Sequence, residues 1–289
     1  MATLSNVFIG VDVSKKHLDI HIHPIGKAMR ITNTDKDLRK LCKLLTSYSV
    51  EQVVCEATGG YERLLCKIFK GLGYKVWIVE PKRIKAFITS EGIKAKTDKI
   101  DAKMIALFAS KKTCDYEAMQ RTDNEEKMKS LVALKATLTG SAAEIKTQIQ
   151  QADSNCLSYL NKMLKFHEKQ ITKLTAQINA LIEDNNELKN KAKLLASIPG
   201  VGDGTTAMCL ALLPELGKVE NNQAAALVGV APYIKQSGAW KGQAHINGGR
   251  ALLRSTIYMA AISAIKHNSV LSVFYQRLIE AGKAFKVAI

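Results

Sequence analysis

Apolar and polar positions change in short runs through the first third of the chain, and the runs predict strands. "NVFIGVDV" and "HLDIHIHP" are β-rich and are joined by the polar turn "SKK". "KAMRITN" reads as a third strand. Leu38, Leu41, Leu44 and Leu45, behind a Thr34 or Asp35 cap, have the spacing of a helix. "EQVVCEA" is then a buried strand, "GYERLLCKIFKGLG" a helix with a glycine stop, and "KVWIVEP" another strand. Three strands in a meander, followed by helix–strand–helix–strand, imply a mixed sheet flanked by helices over residues 1–120.

The period then changes. Residues 121–193 hold no proline and a single glycine, Gly140. Apolar residues recur at 131, 134, 138, 145, 149, 152, 156, 159 and 163, and in a second register at 171, 174, 178, 181 and 188. Spacings of three and four over this length predict long helices in a coiled coil. The register shift and the polar "ADSN" at 152–155 predict a break between two helices. The expectation is an arm or hairpin that dimerises; the alternative is a bundle of ordinary core-facing helices. Residues 194–289 read as an all-α domain with glycine-rich punctuation in "SIPGVGDGTT" and "QSGAWKGQAHINGGR".

Composition narrows the class. The 289 residues suffice for two or three domains, and a hydrophobic fraction of 47% supports a buried core. Lys and Arg total 42 against 26 Asp and Glu, a net charge of +16 that favours a polyanionic partner, nucleic acid first. No apolar run is long enough for a bilayer, and "MATLSNVFIGVDVSKKHLDI" lacks the plan of a signal peptide. The six cysteines are scattered without a CxxC pair, which predicts reduced thiols in a cytoplasmic protein rather than a zinc site or disulfide framework. His21 and His23 share one face of a strand, a pattern more often core or surface than metal-binding.

The chemistry centres on carboxylates. In "KTDKIDAKMI", Asp98 and Asp101 stand three apart, on one helix face, among lysines. A solvated charge-mixed helix explains such a pair by itself. But Asp12 interrupts the apolar strand "FIGVDVS", and Glu56 ends "VVCEATGG", both positions where a charge is costly to bury without a partner. An acid on the first strand, one ending the fourth and the last on a later helix is the order of an RNase H-like site. Taken singly, Asp12 could be an edge-strand turn residue and Glu56 an ordinary strand-end acid. Together the four are hard oxygen ligands suited to Mg²⁺ or Mn²⁺, and two such ions can clamp the oxygens of a phosphodiester.

Further along, Gly200 and Gly202 lie in a helix-hairpin-helix-like turn that lets backbone approach phosphate. Arg250 and Arg254 share a helix face and, with Lys235 and Lys241, are candidate nucleic-acid contacts; the alternative for the arginines is surface solubility. Ser237 precedes a glycine in a loop with Lys235 and Lys241, with no base evident in the sequence to activate it.

The blocks "GVDVSK", "VCEATGGYE", "KTDKIDAKMIA", "LASIPGVGDGTTA", "ALVGVAPYIKQSGAWKG" and "GGRALLRSTIYMAA" resemble the DEDD-type insertion-sequence transposases, the bridge-RNA-guided recombinases, to which pilin-gene-inverting recombinases are similar. The resemblance runs in order from residue 7 to about residue 287. It implies a RuvC-like catalytic domain at 1–120, a coiled-coil dimerisation segment at 121–193, and a transposase domain with a serine loop at 194–289. It implies a metal-binding tetrad at Asp12, Glu56, Asp98 and Asp101, and a serine nucleophile at Ser237 that forms a phosphoserine link to DNA. The implied partners are DNA at element ends and target, a structured noncoding guide RNA, and further copies of the chain, a dimer that becomes a tetramer on DNA. The implied setting is the nucleoid of a bacterial or archaeal cell. Two departures stand out: "GGR" at 248–250 where the family more often has Gly-Asn-Arg, and a last segment "GKAFKVAI" where members usually continue into a further helix.

Three functions compete at this stage. A recombinase uses metal and serine; a RuvC-like nuclease uses water; a degenerate transposase only binds nucleic acid. Four intact carboxylates argue against the last, and Ser237 within its block argues against the second.

Overall fold

The strand patterns of the first third become one sheet in the computed structural model, which describes residues 6–93, 97–112, 122–234, 236–238 and 240–289; the side chains of Asp98, Lys99, Trp240 and Lys241 lie outside this description. The chain divides into two compact units, Met1–Gln120 and Arg121–Ile289.

In the first unit, β1 (Asn6–Val13), β2 (His17–His23) and β3 (Lys27–Thr32) form the meander. Helix α1 (Asp35–Leu45), β4 (Ser49–Glu56), α2 (Arg63–Gly71), β5 (Val76–Val79), α3 (Pro81–Ser90) and α4 (Asp98–Lys111) follow. The sheet order is β3-β2-β1-β4-β5. β2 is antiparallel to β1 and β3, whereas β4 runs parallel to β1 and β5 parallel to β4. The mixed sheet expected from the sequence is therefore present.

Alternation divides its two faces. Val7, Ile9, Val11 and Val13 of β1 join the core built with α1 and α2, together with Val53 and Cys55 of β4. Phe8 and Val54 turn the other way, into a core with Trp77, Ile84, Ile105 and Phe108 under α3 and α4. Helix starts follow local chemistry: the Thr34 and Thr97 hydroxyls accept hydrogen bonds from the backbone N–H groups of Asp37 and Ile100.

The second unit opens with α5 (Asp123–Ile149) and α6 (Ser154–Glu183), the break falling at 150–153, where Asp153 caps α6. Met128 and Val132 pack with Ile178 and Ile182 at one end, and Lys146 pairs with Glu168 at 3.1 Å toward the other. The two helices thus form an antiparallel hairpin. Then come α7 (Asn186–Ala196), α8 (Asp203–Leu212), α9 (Asn221–Val228), four short strands β6 (Pro232–Tyr233), β7 (Gln236–Ser237), β8 (Trp240–Lys241) and β9 (His245–Ile246), and helices α10 (Ala251–His267), α11 (Ser269–Glu280) and α12 (Phe285–Ala288). The hairpin base shares a core with Ala207, Leu210 and Ala211 of α8, so packing continues across residue 193. Among the described residues no helix is long and apolar enough to cross a membrane.

Candidate active site

Asp12 and Glu56 sit level on neighbouring parallel strands. Val11 is in register with Cys55, and each acid is the next residue of its strand. Both are on the α4 face, because Asp12 lies two residues beyond Gly10 and Glu56 two beyond Val54. Both are half-buried.

Gly10 shows how closely α4 lies on that face. A Cβ there would overlap the backbone of Ala106 and the carbonyl oxygen of Ala102. Further back along β1, Phe8 is opposite Gln52, whose amide donates to the carbonyls of Ala109 and, at 2.7 Å, Lys112 at the far end of the helix. Helix α4 therefore runs antiparallel to β1, and its first turn lies toward the end of the strand that carries Asp12. Asp98 is the first residue of that turn, four before Ala102; Asp101, half-buried, is four before the buried Ile105. Among the described residues no group of three or more His, Cys, Asp or Glu is set to hold a metal ion, and the Asp98 side chain is not among those described.

One feature of this face, Asp19, escaped the sequence reading, and a second, His21, is the core histidine that its pattern allowed. Asp19 of β2 is paired with Asp12 across the ladder, so a third acid stands beside it. Asp19 is buried and takes a bidentate fork from Arg30 of β3, at 2.9 Å to Oδ1 and 2.8 Å to Oδ2. The cue was the cross-strand register that puts Arg30 opposite Asp19. His21, opposite Gly10, is buried too. Burial first, then the charge of Lys103 and the neighbouring His23, pushes its pKa below the usual value, which favours a neutral imidazole.

Ser237 is at the tip of a β-hairpin. β6 pairs with β9 and β7 with β8, Ser237 lying opposite Trp240, with the chain turning at Gly238. Ser237 is exposed, as are Tyr233, Ile234 and Ile246 along the ribbon. The hairpin closes at a neck. Gly229 has φ of 89°, and a Cβ on it would overlap Arg254, while a Cβ on Gly249 would overlap the Gly229 backbone. Only glycine permits that approach.

Arg250 is the extended N-cap of α10 and so does not share a helix face with Arg254, and both arginines are held by the protein. Arg250 makes a fork to Glu215 at 2.7 and 2.6 Å and a bond to the Leu212 carbonyl at 2.6 Å. Arg254 donates to the Gly248 carbonyl at 2.6 Å. Gly200 is pressed against Ala264 of α10, where a Cβ would come within 2.6 Å, and Gly202 is the N-cap of α8. Lys235 lies outside the described residues, and Lys241 is placed only by its backbone on β8.

The donor chemistry fits a hard divalent cation: the candidate ligands are carboxylates, with no thiol on this face of β1 and β4. Asp12, Glu56 and Asp101 are half-buried, which leaves a face on which a cation could be met.

Comparison with known proteins gives two family matches in chain order. The DEDD-type IS110 model, described as "Transposase", matches residues 9–158. The model "Transposase IS116/IS110/IS902 family" matches residues 192–276. The chain is 28% identical over 293 aligned positions to the pilin gene-inverting proteins of Moraxella bovis and Moraxella lacunata, covering 98% of this chain and 91% of each of those. Among solved structures, T. thermophilus RuvC in complex with a Holliday junction substrate is similar over 35% of this chain and 90% of its own, at 14% identity and a TM-score of 0.29.

Proposed function

The chain belongs to the DEDD-type IS110 family of transposases and is a DNA recombinase, and from that premise we propose that it is RNA-guided and cuts and rejoins DNA with an acidic site and a serine nucleophile. The reading assigns residues 1–120 to an RNase H-like catalytic domain of the RuvC type, 121–193 to dimerisation and 194–289 to the serine-bearing domain. The observation that supports it best is the level placement of Asp12 and Glu56 beside the first turn of α4.

Asp12, Glu56, Asp98 and Asp101 would hold Mg²⁺ or Mn²⁺. When bound, such ions supply Lewis-acid stabilisation of charge on the phosphoryl oxygens. The Ser237 oxygen attacks the phosphorus, the bond to the leaving strand oxygen breaks, and the serine proton ends on that strand's new hydroxyl. The cut end stays as a phosphoserine ester, so its bond energy is kept for rejoining. Ser237 has to reach the acids within one protomer or across a dimer, and the long-helix segment between the two along the chain favours the cross-protomer arrangement. Arg254 supports the hairpin neck, and Gly200, Gly202, Lys235, Lys241, Arg250 and Arg254 are assigned to the nucleic-acid-binding surface. The net charge of +16 suits both a guide RNA and the DNA.

Asp12→Asn, Glu56→Gln and Asp101→Asn are each expected to reduce cleavage of end-labelled element DNA by at least about 10²-fold, as loss of direct metal ligands exceeds typical outer-shell effects. Filter binding should show DNA retained. Cleavage that continues in EDTA would overturn the metal assignment.

The dimer rests on α6. Tyr159, Met163 and Phe166 lie at i, i+4 and i+7 and are 71%, 50% and 58% exposed, a solvated apolar stripe on a single chain. Light scattering at micromolar concentration should give a dimer, and replacing all three by serine should give a monomer with unchanged helix content. A parent chain that scatters as a monomer would remove this part of the proposal.

A further inference from the structure

Behind the two acid-bearing strands, one side chain ties their exits together. Asn33, between β3 and α1, donates its amide to the Ser14 carbonyl at 3.1 Å and to the Tyr61 carbonyl at 3.0 Å. Ser14 is two residues beyond Asp12; Tyr61 is five beyond Glu56. The Asn33 backbone is itself anchored, its N–H donating to the Lys16 carbonyl at 2.9 Å. The second half of the tie is Glu62. Its carboxylate accepts from the Thr58 hydroxyl at 2.5 Å and from the backbone N–H groups of Gly60 at 2.9 Å and Thr58 at 3.3 Å. This closes the loop 57–61 into a fixed turn directly after Glu56. Burial raises the Glu62 pKa, but these hydrogen bonds outweigh it and hold the carboxyl below its usual range, so it is ionised at neutral pH.

Stability does not explain Asn33. Its Oδ1 is buried with no hydrogen-bond partner. A buried unpaired acceptor costs about 1–3 kcal/mol, which offsets most of what two neutral hydrogen bonds contribute. Both bonds are exposed, so water can take the place of the amide at the two carbonyls, and an apolar residue there costs folding little. What only the amide does is hold two separate carbonyls, one from each exit loop, at one distance from each other.

We propose that Asn33, with Glu62 behind it, is a positioning residue for the acid site: by bridging Ser14 and Tyr61 it sets the spacing between the Asp12 and Glu56 carboxylates. The inference rests on the reading of those acids as metal ligands. Groups that orient ligands from outside the first ring commonly matter about 10–100-fold in metal affinity.

The test uses the full chain with Asn33→Leu, Asn33→Asp and, alongside, Asp12→Asn. Free Mn²⁺ is followed by electron paramagnetic resonance during titration, without DNA. Asn33→Leu should raise the Mn²⁺ concentration for half-binding about 10–100-fold, and Asn33→Asp, which sets a carboxylate against two carbonyls, at least as much. Hydrogen exchange in the segment 57–62 should quicken in Asn33→Leu while thermal unfolding stays near the parent value. A Mn²⁺ titration of Asn33→Leu that superimposes on the parent, with Asp12→Asn losing the ion, overturns the positioning role and leaves the acid site standing. A fall in melting temperature large enough to account for the whole loss of Mn²⁺ binding also overturns it. If Asp12→Asn binds Mn²⁺ like the parent, the acid reading itself fails, and this inference with it.

Discussion

Ser237→Ala is expected to abolish the covalent link between protein and DNA. Reactions quenched in denaturant with end-labelled DNA should give a labelled, protease-sensitive adduct for the parent chain and none for the variant. Rejoined product should fall by roughly 10³- to 10⁶-fold, the scale on which nucleophile removal acts where a covalent step is obligatory. Folding should be untouched, because Ser237 is exposed at a hairpin tip and anchors no core. The outcome also separates mechanisms. If Ser237→Ala still nicks DNA at the parent rate, the attacking group is water, and the chain is better described as a nuclease with an acidic site. If it still forms the adduct, another side chain is the nucleophile.

The second large effect is expected at a residue with no functional group. Gly10→Ala places a methyl group where the backbone of Ala102 and Ala106 already is. Backbone cannot rotate out of the way as a side chain can, so α4 must lift from β1. Overpacking of this kind costs about 1–3 kcal/mol and occasionally more. The lift carries Asp101 away from Asp12 and Glu56, so cleavage should fall further than stability. Differential scanning calorimetry should show a drop of several degrees in the transition of the first unit. Gly71→Ala is the control. Gly71 ends α2 with nothing within 4 Å of an added Cβ, so the change should be neutral or slightly stabilising. Equal behaviour of the two variants would mean that α4 is not seated as described.

How far the molecule could be read from its sequence depends on how local each cause is. The mixed sheet was legible because alternation in "NVFIGVDV" and the apolar run in "EQVVCEA" are local signals that tertiary packing reinforced on both faces. The break between α5 and α6 was legible because Asp153 is a good N-cap in a polar interval. The far end of the hairpin was less so. Tyr159 and Met163 fit the apolar register yet face solvent, since a period gives a face but not a partner for it. Long-range pairings were not legible at all. Arg250 read as a nucleic-acid contact, and nothing near it in the sequence reveals Glu215, 35 residues earlier. Asp19 was passed over for the same reason, its partner Arg30 being set by the β2–β3 register. Asn33 sits in an ordinary "TNTD" turn, and its importance depends on two loops it meets only in the folded sheet.

The division of the chain into two units has a consequence for its synthesis. The acids belong to the first unit, and Ser237 lies 136 residues beyond Asp101. Translation at about 5–20 residues per second leaves an interval on the order of ten seconds in which the first unit can fold before the serine has been made. On the proposed chemistry, a nascent chain in that interval holds everything needed to grip a phosphodiester and nothing with which to break it and keep the end. Until a complete copy is present, chains from an interrupted message can grip DNA but cannot cut it and keep the end.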